Sequence, residues 1–330
     1  MSRALLICFP MKAFNRMAHR WADRGDEVMA SASPLGRRLL IAEVVRRAVQ
    51  VSLFILFNIG LWGLASTPIL LPILQPSATP GRTVGNAFSA MEYMLSEAVA
   101  PLLPLAVFLI VGALCGRALC GWACPFGLVQ DILRHMRRRP VEVAAHTHRS
   151  AIKLKYYILA ITMFISWTLA ISLAAGVGAD YKEALGVFAS GPFTVLSPAE
   201  TLFSLLPGAA VQAVERGVDL LSYLAALPML FWARIIVLIG VLVLVAYVPR
   251  GWCRYLCPVG ALMAIFGRFS LLGLKIDTVK CTRCGECVRA CPMMVRLLDH
   301  PPEKISDPEC VFCLRCVAAC PEGAIKPRFP

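Results

Sequence analysis

Two copies of one cysteine pattern close the chain and decide what its last part can be. Cys281-x-x-Cys284-x-x-Cys287-x-x-x-Cys291-Pro292 is followed by Cys310-x-x-Cys313-x-x-Cys316-x-x-x-Cys320-Pro321. With two residues between thiols, three cysteines of each run can wrap one compact inorganic core. The fourth stands apart, at the start of a helical turn that the following proline suits. Disulfide frameworks belong to small secreted domains. Here the first long apolar span begins near Ala48, behind many basic residues, so no cleavable signal peptide is expected. Zinc also uses Cys-x-x-Cys pairs. Two complete four-cysteine runs, each with its trailing Cys-Pro, point instead to iron–sulfur cubanes.

The run is that of bacterial two-cluster ferredoxins, whose fourth cysteine reaches the other cubane. Two [4Fe–4S] clusters are therefore expected. Cys281, Cys284, Cys287 and Cys320 hold one; Cys310, Cys313, Cys316 and Cys291 hold the other. Residues 273–330 read as a small α+β ferredoxin-like domain, with Gly323-Ala324-Ile325 turning into a short closing strand. The first repeat departs from the pattern at Met293-Met294-Val295-Arg296. A longer insert follows to Pro308, either a partner contact or a longer loop.

The rest of the chain is too apolar for an ordinary soluble domain. Of 330 residues 58% are hydrophobic and 16% charged. A spanning helix needs about 20 apolar residues. Four runs qualify: about Ala48–Ser66, Pro101–Leu119, Tyr156–Val177 and Pro228–Val248. The expected fold is a mainly α polytopic membrane bundle of four transmembrane helices, followed by the ferredoxin domain. Basic residues crowd before the first run and between the second and third. The other two loops hold only Arg82, Lys182 and Arg216. This asymmetry puts both termini in the cytoplasm. It divides the chain into a basic cytoplasmic segment 1–47, a membrane domain 48–272 and the tail. The membrane domain has a cytoplasmic loop 120–155 and outer loops 67–100 and 178–227. The formal charge of +13 then records topology rather than nucleic-acid binding. Thr67–Gln75, short and punctuated by prolines, reads as interfacial. Thr201–Leu227 reads as outer-face helices, either lying on the membrane or re-entrant, or forming an amphipathic cover over the bundle.

A second cysteine pair recurs at the membrane edge. Cys120-Gly121-Trp122-Ala123-Cys124-Pro125 closes the second span. Cys253-Arg254-Tyr255-Leu256-Cys257-Pro258 closes the fourth. A duplicated two-helix unit would bring these four thiols together. Three readings stay open: a third iron–sulfur cluster, redox-active dithiols, or packing. Cys8 and Cys115 read as structural. Arg234, inside the fourth span, either snorkels outward or meets a quinone carbonyl or an acidic partner. None of the five histidines falls in an expected span, so no membrane haem is expected. No Cys-x-x-Cys-His is present for a c-type haem. His146 and His148 read as exposed loop residues.

With four spans, two Cys-x-x-x-Cys-Pro motifs and the paired cluster motifs in this order, the chain resembles the NapH/MauN family from about Ala48 onward. Gly251-Trp252-Cys253, Cys257-Pro258-Val259-Gly260-Ala261-Leu262 and Lys280-Cys281-Thr282-Arg283-Cys284 carry the likeness. The resemblance implies a multi-pass protein of the prokaryotic inner membrane, an electron-transfer subunit of a quinol dehydrogenase-type complex. Its partners would be lipid, the quinol pool and another redox protein or ferredoxin-type subunit. The alternative is a non-catalytic redox sensor, or an assembly factor of the metal-reducing type.

Overall fold

The computed structural model describes residues 34–58, 69–74, 84–136, 143–217 and 219–329. Cys8, His19, Arg82 and the second half of the first expected span lie outside the described residues. Described residues are mainly helical, with two small two-stranded sheets.

Among the described residues, two helices are long and apolar enough to cross a membrane: Ala145–Ala174 and Met229–Tyr247. The second has 19 residues and a length of about 28 Å, close to the hydrocarbon thickness. The first has 30 residues and is about 45 Å long, more than the hydrocarbon thickness alone requires. Tyr157, Ile161, Phe164 and Ile171 stand outward along it at steps of four, three and seven residues, each 60% exposed or more. Water would penalise such a stripe. The other two expected spans are also helical in part. Pro34–Asn58 covers the start of the first. Leu102–Cys115, 14 residues, covers most of the second. That helix stops because Gly116 takes φ +54, a left-handed conformation glycine adopts at little cost.

Within the proline-punctuated segment, the described residues Pro72, Ile73 and Leu74 are buried in the chain's own core. Ile69–Leu71 pairs in parallel with Val84–Asn86, which satisfies the backbone of both. Ile73 and Leu74 sit in the main core beside Phe88, Phe126, Trp252 and the edge cysteines. Helix Ala87–Ser96 follows directly, capped by Asn86, whose side chain accepts from the Phe88 N–H at 3.0 Å. The outer segment 201–227 divides in two. Thr201 is buried and Leu202 and Phe203 pack on the core. Val211 and Val214 face outward.

The chain ends as a compact unit. Gly273–Ile276 pairs antiparallel with Ile325–Arg328, and Ile305 of the insert bridges to Leu274. One-turn helices Glu286–Arg289 and Arg315–Ala318 complete the two repeats. The unit is tied to the bundle at its start, where Leu271 and Leu272 donate to the Ala113 and Leu114 carbonyls.

Candidate metal centres

All thirteen described cysteines are unbridged. In the tail they ring two separate cavities. One is lined by Cys281, Cys284, Cys287 and Cys320. The other is lined by Cys310, Cys313, Cys316 and Cys291. Each cavity thus takes three cysteines from one repeat and the fourth from the other. Among the described residues no three His, Cys, Asp or Glu side chains close on a single ion. Thiols spread around a cavity suit a polynuclear core better than one tetrahedral zinc.

Backbone N–H groups aim at these sulfurs. Val295 donates to Cys291 Sγ at 3.4 Å and Ala324 to Cys320 Sγ at 3.2 Å, the same offset in both repeats. Burial pushes the Cys310 thiol up to about 12 and Cys291 to about 11, neighbouring cysteines adding to it. Such groups ionise when a bound metal replaces the proton. Donors aimed at sulfur are wasted on neutral thiols and well used on thiolates, so the site fits iron–sulfur ligation.

The edge cysteines form a third group. Cys120, Cys124, Cys253 and Cys257 are all buried, and their charges would interact. The two half-motifs fold alike. Each begins with a five-residue helix, Ala118–Trp122 or Gly251–Tyr255. Each then starts a new helix at the proline, Pro125–Met136 or Pro258–Phe266, with cysteine in the capping position. Cys257 Sγ accepts from the Gly260 N–H at 3.2 Å, and Cys124 from Gly127 at the same offset and from Leu74. The proline supplies the helical φ, and a Cβ on the glycine would crowd the Cys120 carbonyl at Gly127 and the Arg117 guanidinium at Gly260; hence Cys-Pro-x-Gly in both halves. Gln130 adds a bond to Cys253 Sγ at 3.0 Å. Burial pushes Cys124 up to about 12, Cys253 and Cys120 contributing.

Buried cations lie near the cysteines of the edge motifs and of the second tail group. Arg46, Arg117, Lys155, Arg250 and Arg254 are each 2% exposed or less. Arg250 meets Asp131 at 2.6 Å and Arg46 meets it at 3.1 Å. Arg117 and Lys155 share Glu309 at 2.6 and 2.5 Å. Glu43 is divided among Arg46, Arg47 and Arg315. The cations outnumber the three carboxylates. A buried unpaired charge costs several kcal/mol, about enough to demand a further anion nearby. Arg117, Arg250 and Lys155 all lie within electrostatic reach of the cysteines, whose thiolates would supply it.

The same residues dock the tail on the bundle. Trp122 Nε1 donates to the Phe312 carbonyl at 2.9 Å. A Cβ on Gly121 would collide with the Val311 carbonyl, so the glycine admits the second cluster loop. Cys120 shares one apolar cluster with Cys316 and Cys313.

Sequence reasoning missed much of this shell. His148 is buried on a helix, not exposed on a loop. Its Nδ1 lies 3.0 Å from Tyr255 Oη and 3.1 Å from Arg254 Nη2. His146, two positions earlier, is exposed, so the two do not form a metal pair. Arg234 has a buried acidic neighbour within the chain, Glu200. Cys115 is half-buried beside the second loop, near Cys310 and Phe312.

The 4Fe-4S binding domain family matches residues 97–143 and again 230–277, once over each edge motif. The 4Fe-4S dicluster domain family matches residues 273–321. The ferredoxin-type protein NapH of Escherichia coli is 24% identical over 298 residues, 84% of this chain and 83% of that protein. The NapH of Haemophilus influenzae is 26% identical over 262 residues, covering 75% and 73%. The methylamine utilization ferredoxin-type protein MauN of Methylobacillus flagellatus is 24% identical over 268 residues, covering 78% and 76%. No solved structure matches. These likenesses support an iron–sulfur electron-transfer protein.

Proposed function

Since the chain groups with the NapH and MauN ferredoxin-type proteins, we propose that it is a multi-pass membrane protein passing electrons between the quinol pool and a redox partner. The observation that carries this reading is the seating of the second cluster loop on the edge motif. Trp122 holds Phe312, and Cys120 packs with Cys316. A route from membrane to soluble redox centres needs such a contact.

The residues would divide the work as follows. Cys281, Cys284, Cys287 and Cys320 hold one [4Fe–4S] cluster, and Cys310, Cys313, Cys316 and Cys291 the other. Cys120, Cys124, Cys253 and Cys257 hold a third metal cluster, supported by the double match to a 4Fe-4S binding family and by the surplus of buried cations. When bound, these groups supply one-electron redox chemistry. The N–H donors stabilise the thiolates, and Arg117, Arg250 and Lys155 offset their charge. The helices Pro34–Asn58 and Leu102–Cys115 join the two long apolar helices as a four-helix membrane domain, its cytoplasmic side marked by basic residues.

Quinol-dependent reduction tests the proposal. The full-length protein, in lipid and under argon, should lose visible iron–sulfur absorbance when a quinol is added. Clusters that dithionite bleaches but no quinol reduces, nor oxidised quinone reoxidises, would overturn the quinol reading.

A further inference from the structure

The edge motifs repeat over a longer stretch than their cysteines. Arg117 stands three positions before Cys120, and Arg250 three before Cys253. Each half therefore reads Arg-x-x-Cys-x-x-x-Cys-Pro-x-Gly. The proline creates the same need in both. It has no N–H to give, and the N–H of the cysteine before it reaches back past the usual acceptor. Cys124 donates to the Leu119 carbonyl and Cys257 to the Trp252 carbonyl. The buried carbonyl of the first cysteine is thus left without its helical donor. The motif glycine lies close to that same carbonyl, Gly127 to Cys120 and Gly260 to Cys253.

The missing donor comes from the opposite half. Arg117 Nη2 donates to the Cys253 carbonyl at 2.8 Å, and Arg250 Nη1 to the Cys120 carbonyl at 3.3 Å. Gln130 of the first half also crosses over, to Cys253 Sγ. Each guanidinium is anchored on a carboxylate, but the two carboxylates have different origins. Arg250 meets Asp131 through Nε at 3.2 Å and Nη2 at 2.6 Å. Asp131 lies six positions after Pro125; six after Pro258 stands Ala264, which has no carboxylate. Arg117 meets Glu309 of the tail instead, at 2.6 Å. Each carboxylate takes one more buried cation, Arg46 at Asp131 and Lys155 at Glu309.

From this we infer that Arg117 and Arg250 are crossed positioning residues of the edge centre, each holding the other half's first cysteine, and that Glu309 completes the centre from the tail. The inference rests on the third-cluster reading above and assigns what keeps its two halves together. Only a planar fork of donors reaches a carboxylate and a carbonyl at once; an ammonium carries the charge without that geometry.

Arg117→Lys and Arg250→Lys therefore keep the charge and lose the clamp. Full-length protein in detergent under argon is mixed with the iron chelator bathophenanthroline disulfonate. From either variant about four irons should leave roughly tenfold faster than from wild type, the tail irons leaving at the wild-type rate. Wild-type release in both variants overturns the crossed pair. Glu309→Gln removes an anion beside Arg117 and should raise the midpoint potential of the edge cluster. An unshifted potential overturns the part given to the tail. Wild-type protein holding only the tail irons would sink the third-cluster reading, and the pair is then decided on sulfur. Mild oxidation with diamide and peptide mapping should join a cysteine of one edge motif to one of the other in wild type, a product lost in Arg117→Lys. Disulfides formed only within a motif, Cys120 with Cys124 or Cys253 with Cys257, overturn the pair.

Discussion

Arg117 and Glu309, 192 positions apart, meet at 2.6 Å, and Lys155 closes on the same carboxylate. The pair links the turn before the first edge motif to the residue before Cys310. It is the electrostatic part of the join between bundle and tail. Removing the carboxylate leaves two buried cations without their partner, at a cost of about 3–5 kcal/mol. Glu309→Ala should therefore loosen the tail. Limited proteolysis near Leu272 should speed up sharply, and the thermal midpoint of the full chain should fall. Equal cleavage rates in variant and wild type would show that Trp122 and the apolar contacts suffice.

Asp131 gives a pH signature. Despite burial, Arg250 and Arg46 hold its carboxyl down to about 2, below the ordinary 3.8. A lowered folded value means stability that is full above about pH 4 and is lost as pH falls toward about 2. The shift corresponds to about 2 kcal/mol. Wild type should exceed Asp131→Asn in melting temperature at pH 6, and the gap should narrow as the pH is lowered through 4 toward 2. A gap constant across that window would mean the ion pair contributes nothing that depends on ionisation.

Cys291 belongs to the first repeat in sequence and to the second cavity in space. Cys291→Ser should then damage the cluster of Cys310, Cys313 and Cys316. Cys320→Ser should damage that of Cys281, Cys284 and Cys287. Each should lose about four irons, Cys291→Ser leaving the same electron paramagnetic resonance signal as Cys310→Ser and Cys320→Ser the same as Cys281→Ser. The opposite matching, Cys291→Ser with Cys281→Ser, would mark uncrossed ligation.

What could be read from the sequence followed periodicity and fixed spacing. The tail motifs are local, so each run of four cysteines was legible at once; the exchange of Cys291 and Cys320 between cavities is not local and came from the two-cluster ferredoxin pattern. The long apolar helices, being local runs, were legible as well. Ile73 and Leu74 were not, because their burial depends on pairing with Val84–Asn86 and on the Leu74 N–H reaching Cys124. No short-range pattern records either. His148 was misread for a similar reason. The helix begins at Ala145, earlier than the apolar run suggests, and its partners Arg254 and Tyr255 lie over a hundred residues away. The buried cations looked like topology markers. Counting basic residues by loop cannot separate those that face water from Arg117 and Arg250, which sit beside thiols.

Those cations bear on the last prediction. If Cys120, Cys124, Cys253 and Cys257 bind one cluster, the full-length protein should hold about twelve irons, about four more than two tail cubanes require. Each single serine variant should lose the same four, and the quadruple variant no more, because residues acting as one unit are not additive. Arg250→Gln is the informative companion. It keeps every sulfur but removes a charge beside Cys253 and the Cys120 carbonyl. With one buried cation fewer, the edge cluster should be harder to reduce, its midpoint potential shifting downward. Two results would end the cluster hypothesis. Eight irons with thiols alkylated only after reduction would mark a dithiol pair instead. Eight irons with thiols inert under all conditions would leave packing as their role.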